Sequence, residues 1–212
     1  CLFGDHQDYL GLPVIACAID RDIELNAIQN TTNVFNLNML DINEVRIINI
    51  NETFPELNPR DYFASSLRVL RRHGCIPNVG YDITITGTIP INSGTSSSSA
   101  LLIAWINFLI TAFGVDEEIT PEFIALMGYT SEVLEHGEPG GMMDHYSISM
   151  GKIVHINTQE PFRCSIIGTE LKGLIIGVSG VPKETIGLIG EIKNNALLAI
   201  DIVKQNYKDF DL

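Results

Sequence analysis

The chain has 212 residues, 45% of them hydrophobic and only 18% charged, so it can bury a sizeable core and carries no signature of disorder. Its net charge of −13 and pI near 4.6, with Arg68, Arg71 and Arg72 as the one basic cluster, argue against nucleic acid or an anionic membrane surface as a partner. Any anion site in such a chain must be built from backbone donors, a metal or a few local charges, because the overall field repels anions.

The length favours one large domain or one and a half. Cys1, Cys17, Cys75 and Cys164 lack metal-ligand spacing and read as reduced thiols of a cytosolic protein. The longest near-apolar run, 100–113, contains Asn107 and is too short for a membrane span. With no visible signal peptide, a cytoplasmic protein without a membrane partner is expected. The chain begins at Cys1 without a Met, and residues upstream are expected to have been lost or removed.

In chain order, 14–19 and 23–28 read as strands. So does 33–39, where Phe35, Leu37 and Met39 alternate with Asn36 and Asn38. A further strand covers 45–50. Asn58-Pro59 is expected to open a helix as N-cap and first turn, with a stripe through Phe63, Leu67 and Leu70 and Gly74 just past its end. The stretch 81–88 alternates through Ile83 and Ile85, so it reads as a strand that feeds a serine-rich turn. After Ser96 the chain is apolar on nearly all sides, which predicts a helix buried in the middle of the domain. Thr120-Pro121-Glu122 starts another helix, running to His136 with Gly137 as its stop. A turn over 138–141 leads to 142–150, a short helix or extended piece. Strands are expected at 152–156 and 173–178, and a final helix at 185–206. A mild boundary falls near 158–172, where Pro161, Gly168 and polar residues interrupt the pattern. Strands gather early and helices interleave later, which argues α+β and not a doubly wound sheet.

Three stretches could carry chemistry. Pro90, Asn92, Ser93, Gly94, Thr95, Ser96, Ser97, Ser98 and Ser99 form a turn between a strand and the buried helix. Backbone N–H groups and small hydroxyls at a helix N-terminus suit a phosphate, and the same composition also fits an ordinary loop with a helix cap. No Lys follows the glycine, so it is not a Walker P-loop, and no closing Gly makes it a nucleophile elbow. Gly4-Asp5-His6-Gln7-Asp8-Tyr9 puts two carboxylates and an imidazole beside a core strand, as a solvated turn, a weak metal site or a loop that binds vicinal hydroxyls. The segment 132–145 carries Glu132 and His136 at i,i+4 spacing, then Asp144 after a Pro-Gly-Gly turn, as a general base or as a helix cap.

Together, in this order, the three stretches resemble the GHMP kinases, the family of galactokinase, homoserine kinase, mevalonate kinase and phosphomevalonate kinase. The likeness is closest to galactokinases and related sugar kinases. Their Gly-Glu-His-Thr-Asp-Tyr is matched by Gly4-Asp5-His6-Gln7-Asp8-Tyr9, and their Pro-x-x-x-Gly-Leu-Ser-Ser-Ser-Ala by Pro90 and Gly94 to Ser99. Their Gly-Ile-Met-Asp-Gln is echoed by Gly141-Met142-Met143-Asp144-His145.

The resemblance implies a two-domain GHMP kinase fold of the α+β class. Residues 1–165 would form the N-terminal domain, with a mixed or antiparallel sheet, and 166–212 the start of a ferredoxin-like C-terminal domain. It implies an ATP- and Mg²⁺-dependent kinase that phosphorylates a monosaccharide hydroxyl, as a monomer or homodimer. Residues 92–99 would wrap the ATP phosphates: Asn92, Ser93, Gly94, Thr95, Ser96, Ser97, Ser98 and Ser99. Ser98 and Glu132 would hold Mg²⁺, and Asp144 would face the acceptor hydroxyl as base or orienting group. Asp5, His6 and Asp8 would bind sugar hydroxyls, with Gly141 packing its bare backbone against the sugar.

The sequence departs from the pattern at Asp5 for Glu, Asn92 for a small residue, Thr95 for Leu and His145 for Gln. The family's Pro-Gly-Arg segment ahead of Cys1 and its third, glycine-rich motif are absent, so a fragment of a longer enzyme is expected. Two alternatives stay open. One is a GHMP-fold protein that binds sugar or nucleotide without catalysis, and the other is a kinase of a non-sugar alcohol such as mevalonate.

Overall fold

The computed structural model describes residues 1–91, 93–169, 171–177 and 186–207. Four strands form a mixed sheet in the order β2 (Ile23–Gln29), β5 (Tyr81–Gly87), β3 (Val34–Met39), β4 (Glu44–Asn49). Within it β3 and β5 run parallel, and the other pairs are antiparallel. A smaller antiparallel sheet joins β1 (Val14–Cys17), β6 (Ile153–Asn157) and β7 (Arg163–Ile167). With helices α1 (Tyr62–Arg71), α2 (Ser97–Phe113), α3 (Pro121–Tyr129), α4 (Met143–Met150) and α5 (Ile186–Asn206), the architecture is α+β, as expected. Among the described residues no helix is long and apolar enough to cross a membrane.

The period of two decides which face of the mixed sheet is covered. Leu37 sits opposite Ile83, Phe35 opposite Ile48 and Leu25 opposite Ile85, so the apolar side chains share one face. Helices α1, α2 and α3 lie on that face, and Ala64, Leu67, Leu102, Trp105, Leu109 and Met127 complete a single core. Trp105 is fully buried at its centre, edge-on to Phe35 and Phe63 and stacked on Phe108. A second core joins Val14, Ala16, Val154 and Ile156 of the small sheet to Ala125, Met142 and Tyr146. The two cores leave a cleft between them, where α2, α4 and the 4–9 loop meet.

Several boundaries differ from expectation for identifiable reasons. Helix α1 starts three residues after Pro59, because Arg60 takes a left-handed φ of 60° and Asp61 is the cap. Asp61 Oδ1 accepts the Ala64 N–H at 3.0 Å, and Oδ2 holds Arg46 of β4 at 2.6 Å. Helix α3 opens as expected, with Thr120 Oγ1 accepting the Phe123 N–H at 3.1 Å and Pro121 at its start. It then widens into a π turn over Thr130–Leu134 before Gly137, at φ 62°, ends the run. Residues 142–150 resolve to helix α4. No strand forms over 171–177, whereas β7 forms over a stretch read from sequence as an interruption. Val178 of the expected strand and Thr185 of the expected last helix lie outside the described residues.

Trp105→Ala removes the side chain that α1, α2 and the sheet share. It is expected to cost about 3–5 kcal/mol in urea unfolding, whereas Ile47→Ala on the open sheet face, 66% exposed, should cost under about 0.5 kcal/mol.

Candidate active site

The cleft has a volume of about 400 Å³ and gathers residues from all three stretches singled out in the sequence. Asp5, His6 and Asp8 come from the loop before β1, Gly94 and Ser96 to Ser99 from the head of α2, and Glu132 from the π turn. Gly141 and Asp144 come from the entry to α4. Ser93 and Thr95 are not on its wall: their hydroxyls bond each other at 2.6 Å, and Ser93 Oγ also donates to the Pro90 carbonyl at 2.8 Å. Asn92 lies outside the described residues.

The head of α2 is an open donor site. Ser96 caps the helix in the left-handed region, φ 60°, and makes no side-chain capping bond. Ala100 N–H closes the first turn on Ser96 O, and the N–H groups of Ser97, Ser98 and Ser99 meet no acceptor among the described residues. These orphan donors, with the dipole of a 17-residue helix behind them, favour an anion.

Opposite them the cleft is acidic. Asp5, Asp8, Glu132, Glu138 and Asp144 line it, with Arg60 as the one guanidinium among the described residues. Glu132 is buried on its π turn, a local widening of the kind often found where a helix serves a site. Its Oε2 accepts from Ser99 Oγ at 2.8 Å and contacts His145 Nε2 at 2.8 Å. Burial alone would raise its pKa, but the bonds from His145 and Ser99, with Ser98 alongside, outweigh burial and hold the carboxyl below the usual range. Glu132 is therefore held in its ionised form at neutral pH. Among the described residues no group of three or more His, Cys, Asp or Glu is spaced to hold a metal by itself. Glu132 and Ser98 fit a hard cation that takes its other ligands from phosphate and water, as Mg²⁺ does.

Asp8 ties the first stretch to the third. Its Oδ2 accepts the Met143 N–H at 3.1 Å and its Oδ1 the Tyr9 N–H at 3.0 Å. Burial, and then the nearby Asp144 charge, raise its pKa against those two donors. Gly141 is required by this arrangement, because a Cβ there would fall inside the Asp8 carboxylate. Asp144 sits in the first turn of α4 and borders this cleft and a second one of about 510 Å³ on the other side. His136, expected on the face of Glu132, packs instead edge-on against Tyr62, since the π turn alters the i,i+4 geometry.

Sequence reasoning missed several participants. Arg60 donates from Nε to Tyr62 Oη at 2.9 Å, and that hydroxyl donates to Glu138 Oε1 at 2.9 Å, so Tyr62 braces two residues of the cleft wall, Arg60 and Glu138. The strained Asn-Pro-Arg-Asp turn was the available signal. Ile189 of α5 also lines the cleft, and one helical turn on Lys193 lies 5.6 Å over the Tyr9 ring. The bonds from Ser99 and His145 to Glu132 span 33 and 13 residues, and no periodicity in the sequence reports them.

Residues 61–152 match the family described as GHMP kinases N terminal domain, a span that runs from the cap of α1 to just past α4. A galactokinase of Lacticaseibacillus casei is 30% identical over 155 residues, covering 71% of this chain and 39% of that protein. A mevalonate kinase of Thermococcus sibiricus is 28% identical over 207 residues, 92% of this chain and 59% of that protein. The chain thus spans about two fifths of the length of the curated galactokinases it matches. Among solved structures, Lactococcus lactis galactokinase complexed with galactose superposes with a TM-score of 0.80 over 99% of this chain and 55% of that one. At 18% identity that likeness concerns the fold.

Gly141→Ala must displace the Asp8 carboxylate and break its bond to the Met143 N–H. The expected cost is about 1–3 kcal/mol by chemical denaturation. In an Asp8→Ala background the same change should cost under about 0.5 kcal/mol, because the two residues then no longer couple.

Proposed function

This chain belongs to the GHMP kinase family, and we propose that it is the N-terminal, site-bearing part of a sugar kinase that transfers the γ-phosphate of ATP to a monosaccharide hydroxyl. Residues 1–165 form the catalytic domain in this reading, and 166–212 begin a C-terminal domain. The observation that carries it is the convergence of an open helix N-terminus, an ionised buried Glu132 and Asp144 on one cleft.

In the mechanism, the N–H groups of Ser97, Ser98 and Ser99 hold phosphate oxygens at the head of α2. Mg²⁺ held by Ser98 and Glu132 would neutralise charge on the phosphates. The acceptor lies between Asp8 and Asp144, with Asp5 and His6 on further hydroxyls. Its oxygen attacks the γ-phosphorus, the new P–O bond forms as the bond to the β-phosphate oxygen breaks, and ADP leaves. Asp144 accepts the hydroxyl proton. Little covalent chemistry is asked of the protein, and positioning carries most of the rate.

A second reading, a kinase of a non-sugar alcohol such as mevalonate, has the long alignment with the Thermococcus sibiricus mevalonate kinase in its favour. Asp5, His6 and Asp8 favour a polyhydroxylated acceptor. ADP release by the full-length protein over a panel of monosaccharides, with mevalonate included, decides between them, and ligand binding without ADP release would identify a non-catalytic homologue.

Asp144→Asn is expected to lower kcat on the preferred acceptor by about 10²–10⁴-fold with a small change in KM. An unchanged kcat removes Asp144 from the mechanism. Ser98→Ala should raise the Mg·ATP requirement and leave acceptor KM alone.

The raised pKa of Asp8 gives a signed pH dependence. Its carboxyl takes up a proton at a pH above the ordinary 3.8, so an acceptor held by the ionised form is released there. Acceptor KM should rise as pH falls into the window above 3.8, and that limb should be missing in Asp8→Asn.

A further inference from the structure

Glu132 is oriented by a side chain that the proposed mechanism does not use. His145 follows Asp144 on α4 and is 2% exposed. Its Nε2 lies 2.8 Å from Glu132 Oε2, the oxygen that also receives the Ser99 hydroxyl. Its Nδ1 is buried with no partner among the described residues. A proton on Nδ1 would have no acceptor, which assigns the ring hydrogen to Nε2 and makes His145 the donor.

A buried imidazole with one nitrogen unsatisfied costs stability relative to an apolar side chain of its size. The fold nevertheless makes room for this one. At Gly128 a Cβ would approach Ile103 Cδ1 to 2.6 Å and His145 Cδ2 to 3.0 Å, so a side chain there would press on the ring and on its neighbour. The Tyr129 ring stands edge-on to it, with centroids 6.0 Å apart. Packing thus holds the ring in one orientation, and its N–H points at one oxygen.

Both donors converge on Oε2, leaving Oε1 to the cleft side that Glu132 lines, with the Ser98 hydroxyl beside the carboxylate. We infer that His145 is a positioning residue: with Ser99 it fixes the Glu132 carboxylate so that Oε1 is presented to a divalent cation in the cleft. The inference rests on the reading of Glu132 as a metal ligand. A carboxylate free to turn loses that freedom on binding a cation, whereas one already hydrogen-bonded does not, and such outer partners typically contribute 10–100-fold in metal affinity. The need is for a donor at this place, not for an imidazole as such. Gln, which the family pattern carries here, supplies one through its amide.

The test is Mn²⁺ binding in the presence of ADP, followed by electron paramagnetic resonance on the full-length protein, with thermal melts to show that each variant is folded. Glu132→Gln should lose Mn²⁺ affinity by at least about tenfold. His145→Leu should weaken it about 10–100-fold, His145→Asn, whose shorter amide falls short of Oε2, should do the same, and His145→Gln should stay within about threefold of wild type. Ser99→Ala should weaken binding in the same direction, which keeps the test alive where an exchange of the buried ring prevents folding. Wild-type Mn²⁺ affinity in folded His145→Leu or His145→Asn, with affinity lost in Glu132→Gln, overturns the positioning role and leaves Glu132 as the ligand. Unchanged affinity in Glu132→Gln overturns the metal role of Glu132 and the inference with it.

Discussion

The site depends on the burial of helix α2. Leu102, Trp105, Ile106 and Leu109 are almost wholly enclosed, with the mixed sheet on one side and α1 and α3 on others. Burial of such side chains is worth roughly 1.5–3 kcal/mol each, so the helix has one place in the fold and one direction. Its first turn consequently emerges at the cleft, and the unsatisfied N–H groups of Ser97, Ser98 and Ser99 go with it. Ser99 extends the constraint by reaching across to Glu132, which anchors the π turn against α2. The open, donor-bearing end of α2 is fixed in place because the apolar body behind it cannot move independently.

Around that end the electrostatics pull in two directions. The chain carries a net charge of −13, and among the described residues five carboxylates line the cleft against one guanidinium. A polyanion would be repelled by this surface if side chains alone received it. Backbone N–H groups resolve part of the conflict, since they supply positive potential without a net charge. In the proposed function a divalent cation would resolve the rest, and Glu132, held ionised, would be its ligand. The acidity of the cleft is thus consistent with a phosphate ligand once the cation is counted as part of that ligand.

Local pattern made much of this legible, and contacts between distant residues hid the remainder. Strands β2 to β5 and helices α2 and α3 follow from alternation, continuous apolarity and the Thr120-Pro121 start. The start of α1 did not, because Asn58-Pro59 offers a plausible cap while Arg46 on β4 and the Ala64 N–H recruit Asp61. The apolar run at 173–177 resembles a strand and has no strand partner in the described residues, whereas β7, with exposed Arg163 and Ser165, gains its identity by pairing with β6. The three site motifs were visible because each is compact in sequence. That Ser99 and His145 meet on Glu132 was not, since a spacing of 33 or 13 residues leaves no local trace. The likeness to the GHMP kinases compressed those long-range relations into recognisable words, and left His145 as a mere departure from the pattern.

Asp8 and Gly141 show why the acceptor side is also a matter of constraint rather than of composition. Asp8 is desolvated, feels the charge of Asp144 and still binds two backbone N–H groups. A carboxylate with a raised pKa costs stability at neutral pH, where it must stay ionised, compared with the same group in water. The cost is present above the raised folded-state pKa and vanishes below the ordinary 3.8, where the group is protonated in both states. A turn of structural purpose alone would do better with a neutral side chain. Gly141 then acquires its role from its neighbour, since it is bare so that the carboxylate can lie against it. In the proposed function this cost, kept at a cleft and tied to the helix that delivers Asp144, is accounted for by the acceptor that Asp8 would bind. The 4–9 loop and the head of α4 are therefore tied together by the bond between Asp8 and Met143, and in the proposed function a change of acceptor preference would have to pass through it.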